Sequence, residues 1–124
     1  MWLFTKVGFF SAVEAAEPQP ALGGIGDVLS IRARVEGDLD KLRAAYAPKL
    51  GPTIMLPNRD YPYRAYITKE AFAEALCRAS LDIDYGNFKS MIMEVFGLAR
   101  ELLYAKVWGV MNDAEAKLKS GKGR

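Results

Sequence analysis

Val28-Leu29-Ser30-Ile31-Arg32-Ala33-Arg34-Val35 alternates without interruption. Leu29, Ile31, Ala33 and Val35 fall on one side of an extended chain, and Ser30, Arg32 and Arg34 fall on the other. A period of two with β-branched residues on one side is a half-buried strand, so a sheet with one covered face is required. Immediately after it, Gly37 and Asp38 open a helix. Asp38 stands at the N-cap, and Leu39, Leu42 and Tyr46 lie along one side. Pro48, Gly51 and Pro52 end that helix.

Working outward, residues 53–56 read as a short strand and 57–60 as a turn. Residues 61–67 form a fourth strand, with Ala65 and Ile67 facing the core and Arg64 and Tyr66 facing away. Pro62 sets its entry point. Thr68 caps the next helix, whose buried side is Phe72, Leu76 and Ala79. Upstream, residues 2–14 read as one aromatic strand in which Gly8 marks a bulge, a bend or a close backbone approach. The connection over 14–27 carries Pro18, Pro20, Gly23, Gly24 and Gly26 and reads as a mobile hairpin link. Its Gly-Gly-Ile-Gly run is no phosphate loop, because a strand follows it and no Lys-Ser/Thr does.

A single long helix is expected from about Asn87 into the Lys117 region. One apolar stripe runs through Phe88, Met91, Ile92, Val95, Ala99, Leu102, Lys106 and Val110. A second holds Tyr104, Trp108 and Met111. An apolar face that wide is either buried in its own domain or shared with a second copy. The sum is an α+β two-layer sandwich: an antiparallel four-stranded sheet with helices on one face, in the order ββαββαα, broadly ferredoxin-like. One domain is expected over 1–118, followed by a flexible basic tail over 119–124, where Lys119, Lys122 and Arg124 alternate with glycine and serine.

The composition narrows the chemistry. The 124 residues include no histidine, which removes Ser-His and Cys-His nucleophile pairs and ordinary zinc and haem sites. A formal charge of +2 is too small to argue for nucleic acid on bulk grounds. Cys77 is the only cysteine, lies within a helical pattern, and reads as a buried or half-buried apolar residue in a reducing compartment. The N-terminal run is interrupted by Thr5 and Lys6 and lacks a cationic start, so it reads as a strand instead of a signal peptide. A cytoplasmic location is expected.

Several segments carry a resemblance when taken in order. They are Trp2-Leu3-Phe4-Thr5 leading to Gly8-Phe9-Phe10-Ser11, then Arg32-Ala33-Arg34 and Asp60-Tyr61-Pro62-Tyr63-Arg64. Asp84-Tyr85-Gly86-Asn87-Phe88-Lys89-Ser90 and Val107-Trp108-Gly109-Val110-Met111 complete the set. Together these resemble a family of small uncharacterised bacterial and phage-related proteins. Its members open with a Trp-x-Phe-Thr-x-x-Gly-Phe-Phe/Tyr-Ser strand and carry an Asp-Tyr-x-Asn-Phe-Lys-Ser turn before the last helix. The resemblance implies a shared fold and no particular activity.

Three places invite a functional reading. Arg32, Arg34, Arg64 and Tyr66 share the sheet face turned away from the helices, with Lys6, Trp2 and Phe4 as further members. Such a face either ladders its arginines with Asp and Glu, or docks a protein, or stacks single-stranded nucleic acid. Asp60, Tyr61 and Tyr63 form a candidate polar pocket, against the simpler reading of tyrosines as amphipathic wall residues. Tyr104, Trp108 and Met111 form a candidate dimer helix. Asp82 and Asp84 before Gly86 hint at calcium, but Met93 stands where an EF-hand loop needs its glutamate, and a helix-capping turn explains the segment better. No cofactor, metal or catalytic residue is assigned. A non-catalytic protein–protein interaction module is expected, as an accessory or inhibitor protein linked to mobile elements. A nucleic-acid-binding module and a histidine-free enzyme stand as the alternatives.

Overall fold

The computed structural model describes residues 1–119; of the tail expected over 119–124, Lys119 ends a helix and the rest lies outside the described residues. The chain groups into two compact units, Met1–Ile83 and a second from Asp84 onward.

The first unit is a two-layer α+β sandwich. Its sheet has five strands: β1 (Trp2–Thr5), β2 (Gly8–Glu14), β3 (Val28–Ala33), β4 (Ile54–Met55) and β5 (Tyr63–Thr68). They lie in the order β1-β2-β3-β5-β4, and every neighbouring pair is antiparallel. The expected count of four strands is therefore corrected to five. The broadly ferredoxin-like order does not appear either: β1 to β3 form a meander, β5 returns beside β3, and β4 hangs on the outer edge of β5.

The extra strand arises because residues 2–14 fold into a hairpin. Thr5 pairs with Gly8, leaving Lys6 and Val7 as the turn. The Thr5 hydroxyl donates to the Gly8 carbonyl at 2.9 Å and accepts from the Val7 amide at 3.1 Å, which closes the reversal locally. Gly8 has φ +145°. A Cβ there would stand 2.4 Å from Oδ2 of Asp38, so its glycine serves a close approach.

Two helices cover one face of this sheet: α1 (Asp38–Ala45) and α2 (Lys69–Leu81). Phe10, Ala12, Ile31, Ala33, Ala65 and Ile67 project from the sheet into a core shared with Leu39, Leu42, Phe72 and Ala75. Full burial of each large apolar side chain contributes about 1.5–3 kcal/mol, so this layer supplies the unit's main stabilisation. Ile31, Ala33, Ala65 and Ile67 lie where the alternation expects them. Val35 does not, because β3 stops at Ala33 and Val35 is exposed.

Helix entry divides between expectation and correction. Thr68 caps α2 by accepting from the Ala71 amide at 3.2 Å. For α1 the N-cap is Gly37, and Asp38 is the first helical residue. The Asp38 side chain turns inward, is fully buried, and accepts from the Phe9 amide at 3.3 Å. It ties the helix start to β2 instead of capping its own helix. Cys77, expected to be at least half-buried, is exposed on α2.

The second unit contains α3 (Phe88–Phe96), α4 (Leu98–Asn112) and α5 (Ala114–Lys119), with α3 packed on α4. Asn87 caps α3, its side chain accepting from the Ser90 amide at 2.9 Å. The expected single helix is broken at Gly97, whose φ of +92° with ψ −178° is reached by glycine almost alone. The break resets the helical phase. The expected continuous stripe separates accordingly: Ile92 on α3 is fully buried, whereas Leu102 and Val110, beyond the break, are exposed, and so is Val95 on α3 itself. Among the described residues no helix is long and apolar enough to cross a membrane.

Candidate functional site

The sheet face opposite α1 and α2 is built by register. Ser11 on β2 pairs with Arg32 on β3, Arg32 pairs with Arg64 on β5, and Arg64 pairs with Ile54 on β4. Because side chains alternate along strands, this row and the neighbouring Ser30–Tyr66 pair share one face. The structure thus brings Arg32, Arg34, Arg64 and Tyr66 together, as the alternation expects.

What holds the arginines differs from an acid–base ladder. Nη2 of Arg32 donates to the Ser11 hydroxyl at 2.8 Å, and Nη1 of Arg34 donates to the Asp60 carbonyl at 2.8 Å. Both guanidiniums sit over the ring of Tyr61, at 4.6 Å for Arg32 and 4.1 Å for Arg34. That ring is buried, at 4% exposure. Two cations against one aromatic ring gain from the ring quadrupole without being neutralised. Among the described residues no carboxylate lies within ion-pair distance of Arg32, Arg34 or Arg64. Three buried polar atoms on this face also lack an intramolecular partner among the described residues: Nε of Arg32, Nε of Arg64 and Oγ of Ser30. Buried donors without acceptors are uncommon, and here they converge on one surface.

The aromatic side chains on the same face are largely occupied with one another. Phe4 stacks on Phe9 at 4.4 Å, and Trp2 meets the edge of Phe9 at 6.3 Å. Trp2 keeps 71% of its surface exposed. Lys6, a further expected member of this face, turns to the Asp82 carboxylate at 3.4 Å.

Asp60, Tyr61 and Tyr63 have different surroundings. Oδ1 of Asp60 accepts from the Tyr61 amide at 3.0 Å, a local turn bond. Tyr61 lies under the arginines, whereas Tyr63 packs against the helix-side core and lines a cavity of about 140 Å³ with Leu39, Asp40 and Met55. Tyr61 precedes β5, which begins at Tyr63, so strand alternation does not tie the directions of the two rings.

The segment near Asp82 is a structural tie. The Tyr46 hydroxyl donates to Oδ2 of Asp82 at 2.5 Å, and this bond, with the Lys6 ammonium, holds the carboxyl below its usual range. Among the described residues no group of three or more Cys, Asp or Glu side chains is arranged to hold a metal ion.

In the second unit, Tyr104, Trp108 and Met111 have different surroundings. Tyr104 is buried and stacks on Phe88 at 6.0 Å, so it serves the α3–α4 packing. Trp108 is 57% exposed with the Lys89 ammonium 4.5 Å from its ring centre, and Met111 is exposed. A larger apolar surface lies beside them on α4. Leu98 and Leu102 are one turn apart, Leu103, Val107 and Val110 follow the i, i+4, i+7 spacing, and all five are exposed. Those leucines and valines were legible as helical residues. Their exposure was not, because it depends on the break at Gly97.

Comparison with family models, curated proteins and solved structures gives no match, so geometry alone carries the functional reading.

Proposed function

We propose that the protein is a non-catalytic, cytoplasmic interaction module that associates with itself through α4. The observation that carries this reading is the exposure of Leu98, Leu102, Leu103, Val107 and Val110 on one helix. Leu103, Val107 and Val110 fall on one side of α4, with Leu98 and Leu102 on the adjoining side. Exposed apolar surface of this kind marks an interaction site, since each side chain left in water forgoes its burial free energy. A second copy is the simplest partner, because twofold contacts through one helix face need no other component. Trp108 and Met111 extend the same interface.

The arginine face supplies a second surface, suited to an acidic segment of another protein. Its cations are positioned by Ser11, Tyr61 and the Asp60 carbonyl before any partner arrives, which lowers the ordering cost of binding. The proposal of an accessory or inhibitor role linked to mobile elements rests on the phage-related association of the family it resembles, which itself implies no particular activity.

The uncompensated arginine charge also favours a second reading, single-stranded nucleic-acid binding. Base stacking needs open rings, however, and Tyr61, Phe4 and Phe9 are already covered or paired, leaving Trp2 alone well exposed. Light-scattering chromatography with and without a short single-stranded RNA tests both. A dimer indifferent to RNA supports self-association, and a monomer that gains mass with RNA at low salt overturns it.

A further inference from the structure

A cavity of about 330 Å³ opens at the edge of the first unit's sheet, between the 19–22 segment and the chain entering β4. Pro20, Ala21, Leu22, Pro52 and Ile54 give it apolar walls, and the Tyr66 side borders the sheet face. The 19–22 segment is held in place from within: the Gln19 amide donates to the Gly23 carbonyl at 3.1 Å, and the Leu22 and Gly23 amides return to the Gln19 carbonyl at 2.8 Å. Gly51 closes the other side, donating to the Tyr66 carbonyl at 2.9 Å. The volume falls in the range of small-ligand sites. At the ~30 Å³ that a water molecule occupies in the liquid, it accommodates about eleven non-hydrogen atoms.

Beside this apolar hollow stands unanswered positive charge. Arg64 lies directly across from Ile54 and two residues before Tyr66 on the same face. Its Nε is buried without an acceptor among the described residues, and so is Oγ of Ser30, cross-strand partner of Tyr66. Ser30 is only 4% exposed. Those two atoms are closed to solvent, but the Arg64 guanidinium as a whole makes no hydrogen bond or ion pair among the described residues. A ligand that fills the hollow and ends in an anion would meet its outer nitrogens. Neutral apolar molecules leave the Arg64 guanidinium without a counter-charge, and a bare inorganic anion leaves the hollow empty.

We infer that this cavity binds a small apolar carboxylic acid, its hydrocarbon body between the 19–22 segment and Ile54 and its carboxylate on Arg64. The guanidinium presents a planar fork suited to a carboxylate, and the charge-assisted bond selects acids over alcohols of equal length.

Decanoate is the probe, with decanol as its neutral counterpart, each titrated into the full chain and followed by calorimetry and by the methyl resonances of Leu22 and Ile54. Saturable binding of one decanoate per chain at submillimolar concentration is expected, about tenfold tighter than decanol, with both methyl groups shifting. Arg64→Gln removes the preference for the acid. Ala21→Trp, a change at an exposed position, fills the cavity and abolishes binding of both probes while leaving the circular dichroism spectrum unchanged. Equal affinity for decanoate and decanol overturns the assignment, as does decanoate binding that survives Ala21→Trp or shifts only α4 methyl groups. Absence of saturable binding to the unmodified chain overturns it as well.

Discussion

The guanidinium of Arg34 lies 4.1 Å from the ring centre of Tyr61, and the guanidinium of Arg32 shares that ring at 4.6 Å. One buried tyrosine therefore organises two cations at the C-terminal end of the central strand β3. Tyr61→Ala removes a buried ring and its cation contacts together, and is expected to cost about 3 kcal/mol of stability. Tyr61→Phe keeps the ring and is expected to cost less than about 1 kcal/mol, because the ring and not the hydroxyl holds the arginines. Urea unfolding of the two variants separates these outcomes. Equal losses would show that the hydroxyl matters more than the ring.

Gly8 makes an independent case, since any side chain there meets the Asp38 carboxylate. Gly8→Ala combines that clash with an unfavourable positive φ and is expected to destabilise by about 2–4 kcal/mol, read as a lower melting temperature. A melting temperature equal to that of the unmodified chain would contradict the close approach.

Acid sensitivity should report the Tyr46–Asp82–Lys6 tie. The Asp82 carboxyl is held below its unfolded value, so its contribution is present above about pH 4 and is lost as pH falls through the lower folded value. Asp82→Asn should therefore be less stable than the unmodified chain at neutral pH, with the difference narrowing at pH 2–3. A difference that stays constant across this window would mean that the carboxylate charge plays no part.

Much of the first unit could be read from its residues. Ile31, Ala33, Ala65 and Ile67 reach the core because a strand in a half-covered sheet has a strict period of two, and Thr68 caps α2 because its hydroxyl is in reach of a free amide. The arginines on the opposite face follow from the same alternation. The hairpin at Lys6 and Val7 was hidden, since its aromatic residues favour a strand on both sides of the turn and the Thr5 hydroxyl that closes it has no distinctive pattern. Register was equally hidden. Ser11 meets Arg32 and Arg64 meets Ile54 only after long-range pairing, which no local window contains. The same holds for Asp38, where a carboxylate before a helical run signals a cap, while the approach of Gly8 draws it inward. Along 87–117, helical periodicity was correct in kind, but a single glycine rotation at Gly97 reassigned which side chains meet water.

Lys89 and Trp108 offer a probe within the second unit. Trp108→Ala removes an exposed ring and its 4.5 Å ammonium contact, so it is expected to shift the association equilibrium toward monomer while lowering stability by less than about 1 kcal/mol. A large stability loss with unchanged mass would place Trp108 in the unit's own packing.

Solution mass of the unmodified chain beside Leu103→Glu/Val107→Glu, measured by light-scattering chromatography across a concentration series, tests the central claim most directly. Self-association through α4 predicts a dimer for the unmodified chain and a monomer of unchanged helical content for the double variant. A monomer at every concentration of the unmodified chain, or a dimer that survives both glutamates, would contradict it.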